Sequence, residues 1–145
     1  MTDYEIHDTD AASTVAKVLQ LTRQDTLSWE ATADEDVLMA PFKGEYVFRL
    51  ARFEDPSQYS AYASVTYGLA VLKGRRTLMS FGSEEFTKTR DLQKALDEPQ
   101  SKTTSHQYFA ELWKRAFYRA NRIPEEFERV NKLLDSELNQ LAASH

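Results

Sequence analysis

Tyr59-Ser60-Ala61-Tyr62-Ala63-Ser64-Val65-Thr66-Tyr67-Gly68-Leu69-Ala70-Val71-Leu72 runs into Lys73-Gly74, and Arg75-Arg76-Thr77-Leu78-Met79-Ser80-Phe81 follows. The odd positions from 59 to 71 are Tyr, Ala, Ala, Val, Tyr, Leu and Val, while the even ones include Ser60, Ser64, Thr66 and Gly68. Successive side chains of a strand project to opposite faces, so a period of two sustained this long predicts a long strand over 59–72. Gly68 is where it is expected to bend or bulge. Lys73-Gly74 then closes a tight hairpin into a strand over 76–82.

Working back toward the N-terminus, residues 44–53 alternate in the same way. Tyr46, Phe48 and Leu50 share one face, and Val47, Arg49 and Ala51 the other. Glu54-Asp55-Pro56-Ser57 reads as the turn that links this strand to the next. Ahead of it lies a loop, acidic at Asp34-Glu35-Asp36 and ending near Pro41. Leu27, Trp29 and Ala31 alternate with Ser28 and Glu30, which predicts a half-buried strand over 26–32. Val15, Val18, Leu19 and Thr22 recur at helical spacing over 9–23, where Thr9 or Asp10 is a suitable cap.

Downstream of the hairpin the period changes to that of a helix. Ser83 is placed to cap a helix over 84–96, and 97–105, with Pro99, is a loop. Phe109, Leu112, Trp113, Ala116, Phe117 and Ala120 form a wide apolar stripe over 106–120. Asn121-Arg122-Ile123 turns the chain, and Pro124 suits the first position of a helix over 124–142. Glu125, Glu126 and Glu128 favour the positive end of its dipole, and Phe127, Val130, Leu134, Leu138 and Leu141 are its expected buried stripe. The expectation is a single α+β domain spanning 1–145. It has a four-stranded antiparallel meander, an N-terminal helix, and C-terminal helices packed on one face.

At 145 residues, 41% of them hydrophobic, the chain is long enough to bury a core without staples. The absence of cysteine excludes disulfides, thiolate metal sites and cysteine nucleophiles. The apolar runs are short and the first ten residues are acidic, so neither a membrane span nor a signal peptide is expected. A soluble cytoplasmic protein is the default. The net charge of −5 conceals segregation. Residues 1–36 carry −7, 37–82 carry +3, 83–105 carry −1, 106–122 carry +3 and 123–145 carry −3.

Val18-Leu19-Gln20-Leu21-Thr22, a short polar turn and Leu27-Ser28-Trp29-Glu30 together resemble the opening of a set of small, mostly uncharacterised bacterial α+β domains. In those, a helix ending in Leu-Thr precedes a strand carrying Leu-x-Trp. The resemblance implies a meander with a glycine-containing hairpin, here 69–81, and a terminal helix pair, here 112–121 and 124–141. Lys73-Gly74-Arg75-Arg76 departs from that pattern, which has an acidic residue before the glycine. It implies a fold and assigns no activity.

Motifs for chemistry are sparse. Three histidines, His7, His106 and His145, show no metal-ligand spacing, and four scattered glycines make no phosphate loop. Asp34-Glu35-Asp36 lacks the glycine and distal glutamate of a calcium loop and reads as a solvated turn. No catalytic residue, metal or cofactor is assigned, and the chain reads as a non-enzyme. Trp29 and Trp113 read as core anchors. The most informative surface is basic: Arg115, Arg119 and Arg122 follow i, i+4, i+7, with Lys114 beside them and Glu111 placed to pair with Arg115. Arg75 and Arg76 occupy the hairpin tip, and Tyr62 lies on the more polar face of the long strand.

These residues lead to a protein-binding module, in the manner of a regulator, inhibitor or immunity-type protein of bacterial or phage origin. Lys114, Arg115, Arg119, Arg122, Arg75, Arg76 and Tyr62 are its expected contacts. Nucleic-acid binding by the same arginines is the alternative, and a small-molecule pocket between sheet and helices, lined by tyrosines and tryptophans, a third. Self-association is compatible with each, and no membrane contact is expected. The outcome turns on whether the basic helix face is open or already paired with the chain's own acidic segments.

Overall fold

The computed structural model describes residues 8–56, 63–83, 89–98 and 103–144. Helix α1 (Asp8–Arg23) leads into strands β1 (Glu30–Ala31), β2 (Val37–Phe42), β3 (Tyr46–Pro56), β4 (Ala63–Lys73) and β5 (Arg76–Gly82). Helices α2 (Thr89–Ala95), α3 (Ser105–Ala120) and α4 (Ile123–Ala143) follow. The five strands form one antiparallel sheet in sequential order, so the chain is α+β with a meander, as expected, but with one strand more.

The extra strand corrects the acidic loop, which ends at Asp36 rather than near Pro41. Leu38 and Ala40 of β2 are buried and pair with Leu50 and Phe48 of β3. Pro41 is tolerated because β1 pairs only as far as Met39, so β2 has no neighbour on that side at Pro41. Lys43 and Gly44 both adopt positive φ, 57° and 68°, and Glu45 N–H donates to Phe42 O, which closes the β2–β3 hairpin.

The strand expected over 26–32 shrinks to two residues. The backbone just ahead of it ends α1 instead. Thr26 N–H donates to Leu21 O at 2.9 Å and Asp25 N–H to Thr22 O at 3.1 Å, with Asp25 in the left-handed region at φ 58°. That is a Schellman turn, with aspartate where glycine is usual. Leu27 and Trp29 are still buried, so the alternation reported burial rather than pairing. Helix α1 begins at Asp8, so Thr9 and Asp10 fall within it and do not cap it.

β3 continues through Glu54 and Asp55 to Pro56, which corrects the turn expected there. Gly68 is paired regularly with Ala51, and the irregularity falls at Val71/Leu72, where Leu78 of β5 is the extra residue. A β-carbon at Gly68 would lie 3.4 Å from the Phe53 ring, so this glycine leaves room for an aromatic neighbour on the same face. Residues 59–62, which include Tyr62, lie outside the described residues, as do 84–88. Ser83 is buried and bonds β4: its Oγ accepts from Tyr67 N–H at 3.0 Å.

The core lies between the sheet and α1–α3. Leu38, Leu50, Leu69, Val71 and Phe81 from the sheet meet Val15 and Leu19 of α1, Leu92 of α2, and Phe109 and Leu112 of α3. Ala12 and Ala16 are fully buried on α1, where short side chains let α2 approach. Trp29 is 3% exposed and donates its indole N–H to Thr22 Oγ1 at 3.1 Å, as expected of a core anchor. Trp113 is half-buried, stacked on Phe117 and beside Tyr67. No helix among the described residues is long and apolar enough to cross a membrane.

Helix α4 departs from the expectation. It runs 21 residues and none of them is buried, so the stripe read as core is not core. An amphipathic stripe states that a face is suited to cover, without stating that the same chain covers it.

Candidate functional site

The elbow between α3 and α4 gathers the features that bear on function. α3 starts at a capping box, in which Gln107 N–H donates to Thr104 Oγ1 and Thr104 N–H donates to Gln107 Oε1. Its inner face is anchored by Tyr108, Phe109, Leu112 and Ala116, which turns Lys114, Arg115, Tyr118 and Arg119 outward. The helix ends where Asn121 donates from its backbone and its side chain to Phe117 O, both at 3.0 Å. Arg122 then takes a left-handed conformation, φ 51° and ψ 44°, which redirects the chain. Ile123 starts α4, so Pro124 takes its second position rather than the expected first, and Glu126 N–H donates to Arg122 O.

The basic face of α3 is largely paired with carboxylates of its own chain. Arg115 Nε donates to Glu111 Oε2 at 2.8 Å, the pair expected from the spacing. Arg119 Nη1 donates to Asp25 Oδ2 at 2.7 Å, across from the Schellman turn of α1. The partners are therefore Glu111 and Asp25, not the acidic last helix. Lys114 lies over the Tyr118 ring, 5.7 Å from its centre. Arg122, Arg75 and Arg76 are exposed and make no ion pair among the described residues. Arg75 and Arg76 sit at the β4–β5 hairpin and do not join the α3 cluster, and Tyr62 lies outside the described residues.

Behind this face runs a network that joins α1, the turn after α2, and α3. The Arg23 guanidinium bonds Glu111 twice and Glu98 once, and the Tyr108 hydroxyl donates to Glu98 at 2.7 Å. Hydrogen bonding from Arg23 holds both carboxyls below the ordinary range, helped at Glu98 by Tyr108 and at Glu111 by Arg115. The Arg23 guanidinium is correspondingly raised, chiefly by its bond to Glu111.

Among the described residues, three shallow clefts lie around the elbow. One of about 270 Å³ lies among Arg23, Asp25, Arg115, Tyr118, Arg119 and Pro124. A neighbour of about 460 Å³ is bounded by Trp29, Glu30, Arg119, Ala120, Arg122 and Glu125. The third, about 290 Å³, lies beside Asp34, Glu35, Phe117 and Asn121. Charged side chains of both signs line the first two. Between the sheet and the helices, the space is filled by core residues. Asp34 serves the loop itself: its carboxylate accepts from Asp36 N–H at 2.9 Å. Among the described residues no group of three or more histidine, aspartate or glutamate side chains is arranged to hold a metal ion.

The feature that sequence reasoning missed is the outer surface of α4. Phe127, Val130, Leu133, Leu134, Leu138 and Leu141 range from 47% to 64% exposed. Among the described residues, only Phe53, Leu78 and Tyr118 are large apolar side chains comparably exposed elsewhere. Single exposed apolar residues are ordinary, but six along one helix are a contiguous patch of the kind that marks an interaction surface. The stripe itself was visible in the residues; its lack of cover was not.

Comparison with protein-family models, with curated proteins and with solved structures yields no match. The functional reading accordingly stands on this geometry.

Proposed function

We propose that the protein is a non-enzymatic protein–protein interaction module whose principal contact is the apolar face of α4. One observation carries the reading: a 21-residue helix presents six large apolar side chains on a face that no residue of the helix buries. Helices shorter than about 12–15 residues are marginal in water, and longer ones are still held mainly by packing of an apolar face, so this face calls for a partner. Recognition of an amphipathic helix through residues at i, i+3, i+4 and i+7 is a recurring mode of protein association.

The surface differs from the basic face of α3 that the spacing of arginines singled out. With Arg115 and Arg119 held by Glu111 and Asp25, the elbow presents a mixed-charge rim beside the apolar stripe. Charged rims around apolar centres orient a partner and set its rate of encounter more than its affinity. Arg122 and Lys114 remain outward at that rim.

The test is affinity capture with the full chain, tagged, from cells that also make an untagged copy. Wild type is compared with Leu134→Asp/Leu138→Asp. A bound protein, the untagged copy included, that is present with wild type and lost with the variant is the expected result. Identical capture by the two, with both monomeric, overturns the proposal.

A further inference from the structure

We infer that the face of α4 is covered by α4 of a second copy, laid antiparallel with the two Leu134 side chains meeting on the twofold axis. The inference rests on reading α4 as the contact surface, and it specifies the occupant.

The spacing of the stripe is the first argument. Phe127, Val130, Leu134, Leu138 and Leu141 are separated by 3, 4, 4 and 3 residues, a pattern that reads the same from either end of the helix. In an antiparallel pair centred on Leu134, Phe127 therefore faces Leu141 of the second copy, and Val130 faces Leu138. A twofold interface requires this reciprocity: each residue meets the one whose partner it also is. Spacing that averages one residue per helical turn keeps the stripe straight along an undistorted helix.

Charge supplies the second argument. Glu126, Leu133 and Glu137 lie along one edge of the stripe, and Glu128, Asn131 and Asp135 along the other. Antiparallel pairing brings like edges together with their ends reversed. Glu126 then neighbours Gln140 and Ser144 of the second copy, Glu137 neighbours Leu133, Asp135 neighbours Asn131, and Glu128 neighbours Ala142. Glu126, Glu128 and Glu137 thus meet uncharged side chains, and the one like-charged contact is at the axis, where Asp135 lies as near Asp135 of the second copy as Asn131. A parallel pair would set opposite edges together and bring Glu126 beside Glu128, and Glu137 beside Asp135. The antiparallel sense therefore sets Glu126 and Glu128 near the start of α4 against the uncharged residues 139–144 at its end, where the parallel sense sets acid beside acid at both levels.

Size sets the strength. The helix is about 31 Å long at 1.5 Å per residue. Covering the six exposed side chains on each copy removes on the order of 1,000 Å² in all, the lower limit for a specific interface. Self-association with a dissociation constant of about 1–100 μM is the matching expectation.

Sedimentation equilibrium of the full chain up to about 200 μM measures it, with the expected result a monomer–dimer equilibrium that Leu134→Asp weakens at least about 100-fold. In dilute solution, where both are monomeric, circular dichroism and thermal melting of that variant should match wild type, because no residue of α4 belongs to the core. The lack of native cysteine allows orientation to be read by single introduced thiols. Under mild oxidation Leu134→Cys should form a covalent dimer and Phe127→Cys should not. A mixture of Phe127→Cys and Leu141→Cys chains should cross-link to each other. A wild type that stays monomeric, or a Phe127→Cys chain that cross-links to itself, overturns the inference. In the first case, capture of a different protein through α4 leaves the interaction module standing, and absence of any α4-dependent capture removes both.

Discussion

Arg23 at the end of α1 grips Glu111 in the middle of α3 with two parallel hydrogen bonds, Nε to Oε2 and Nη2 to Oε1, each 2.7 Å. The two residues are 88 positions apart, and the remaining nitrogen of the guanidinium reaches Glu98 at 2.6 Å. One side chain thus ties together three segments that the core alone would hold only by apolar contact. The planar fork of arginine matches a carboxylate in a way a lysine ammonium does not.

Removing Arg23 should cost more than removing either acid. Arg23→Ala leaves Glu98 and Glu111 as neighbouring carboxylates of like charge, and a loss of about 2 kcal/mol is expected after allowance for their partial exposure. Glu111→Gln keeps the shape and one acceptor and should cost about 1 kcal/mol. Arg23→Lys should fall between, because it restores charge without the fork. Urea denaturation of the full chain, read by tryptophan fluorescence, ranks the three; equal losses would remove the network from the account of stability.

The same network fixes a direction of pH dependence. Both Glu98 and Glu111 are held below the ordinary carboxyl value of 4.5, first by hydrogen bonding to Arg23. A group with a depressed folded-state pKa binds its proton more readily when unfolded. Its stabilisation is therefore complete above the unfolded value and is lost as pH falls from there through the folded one. Melting temperature should be flat from neutral pH to about 5 and should drop below 4.5, more steeply in wild type than in Glu111→Gln. Parallel pH profiles for the two proteins would contradict this.

Aspartate in two left-handed turns gives an opportunity to stabilise the fold. α1 and α2 end alike, with Asp25 at φ 58° and Asp97 at φ 55°. In the second, Glu98 N–H donates to Gln93 O and Asp97 N–H to Lys94 O. Left-handed φ is costly for a residue with a β-carbon and free for glycine. Asp97→Gly should raise stability by about 0.5–1 kcal/mol, since Asp97 makes no ion pair among the described residues. Asp25→Gly should gain less, because it gives up the 2.7 Å bond to Arg119. Thermal melts decide it, and a larger gain at Asp25 would reverse the assignment of the two turns.

These turns also explain what could be read from the residues and what could not. The period of two expected over 59–72 and the helical stripes of α1 and α3 place those elements where the described residues show them, although Leu69, Ala70, Val71 and Leu72 of β4 are buried on both faces. Burial and pairing separate at Leu27 and Trp29: both alternate and both are buried, yet they lie between the turn that ends α1 at Asp25 and Thr26 and the short ladder that begins at Glu30. β2 was hidden because acids before it and Pro41 within it mark a loop locally. Its place in the sheet depends on β3, which pairs with all six of its residues. The arginine cluster was legible as a face, and its pairing with Glu111 followed from helical spacing. Pairing with Asp25 could not, because 94 residues separate it from Arg119 and only the packing of α1 against α3 brings them together. Helix α4 is the sharpest case. Its stripe has the composition of a core face, and whether a face is covered is a property of the tertiary arrangement, not of the segment.

That distinction makes the final prediction a contrast between two leucines. Leu112 of α3 is 0% exposed, packed among α1, the sheet and Phe109, and Leu112→Ala should cost about 2–5 kcal/mol through lost burial and the cavity left behind. Leu134 of α4 is 55% exposed, and in dilute solution Leu134→Ala should change stability by no more than about 0.5 kcal/mol. At protein concentrations that favour association the same change should become visible, because anything that binds only the folded chain adds to its stability by mass action. Melts of Leu134→Ala and wild type should therefore coincide at low micromolar concentration and separate as concentration rises, while Leu112→Ala lies below both throughout. A large, concentration-independent loss at Leu134 would place α4 in the core and contradict the exposed stripe.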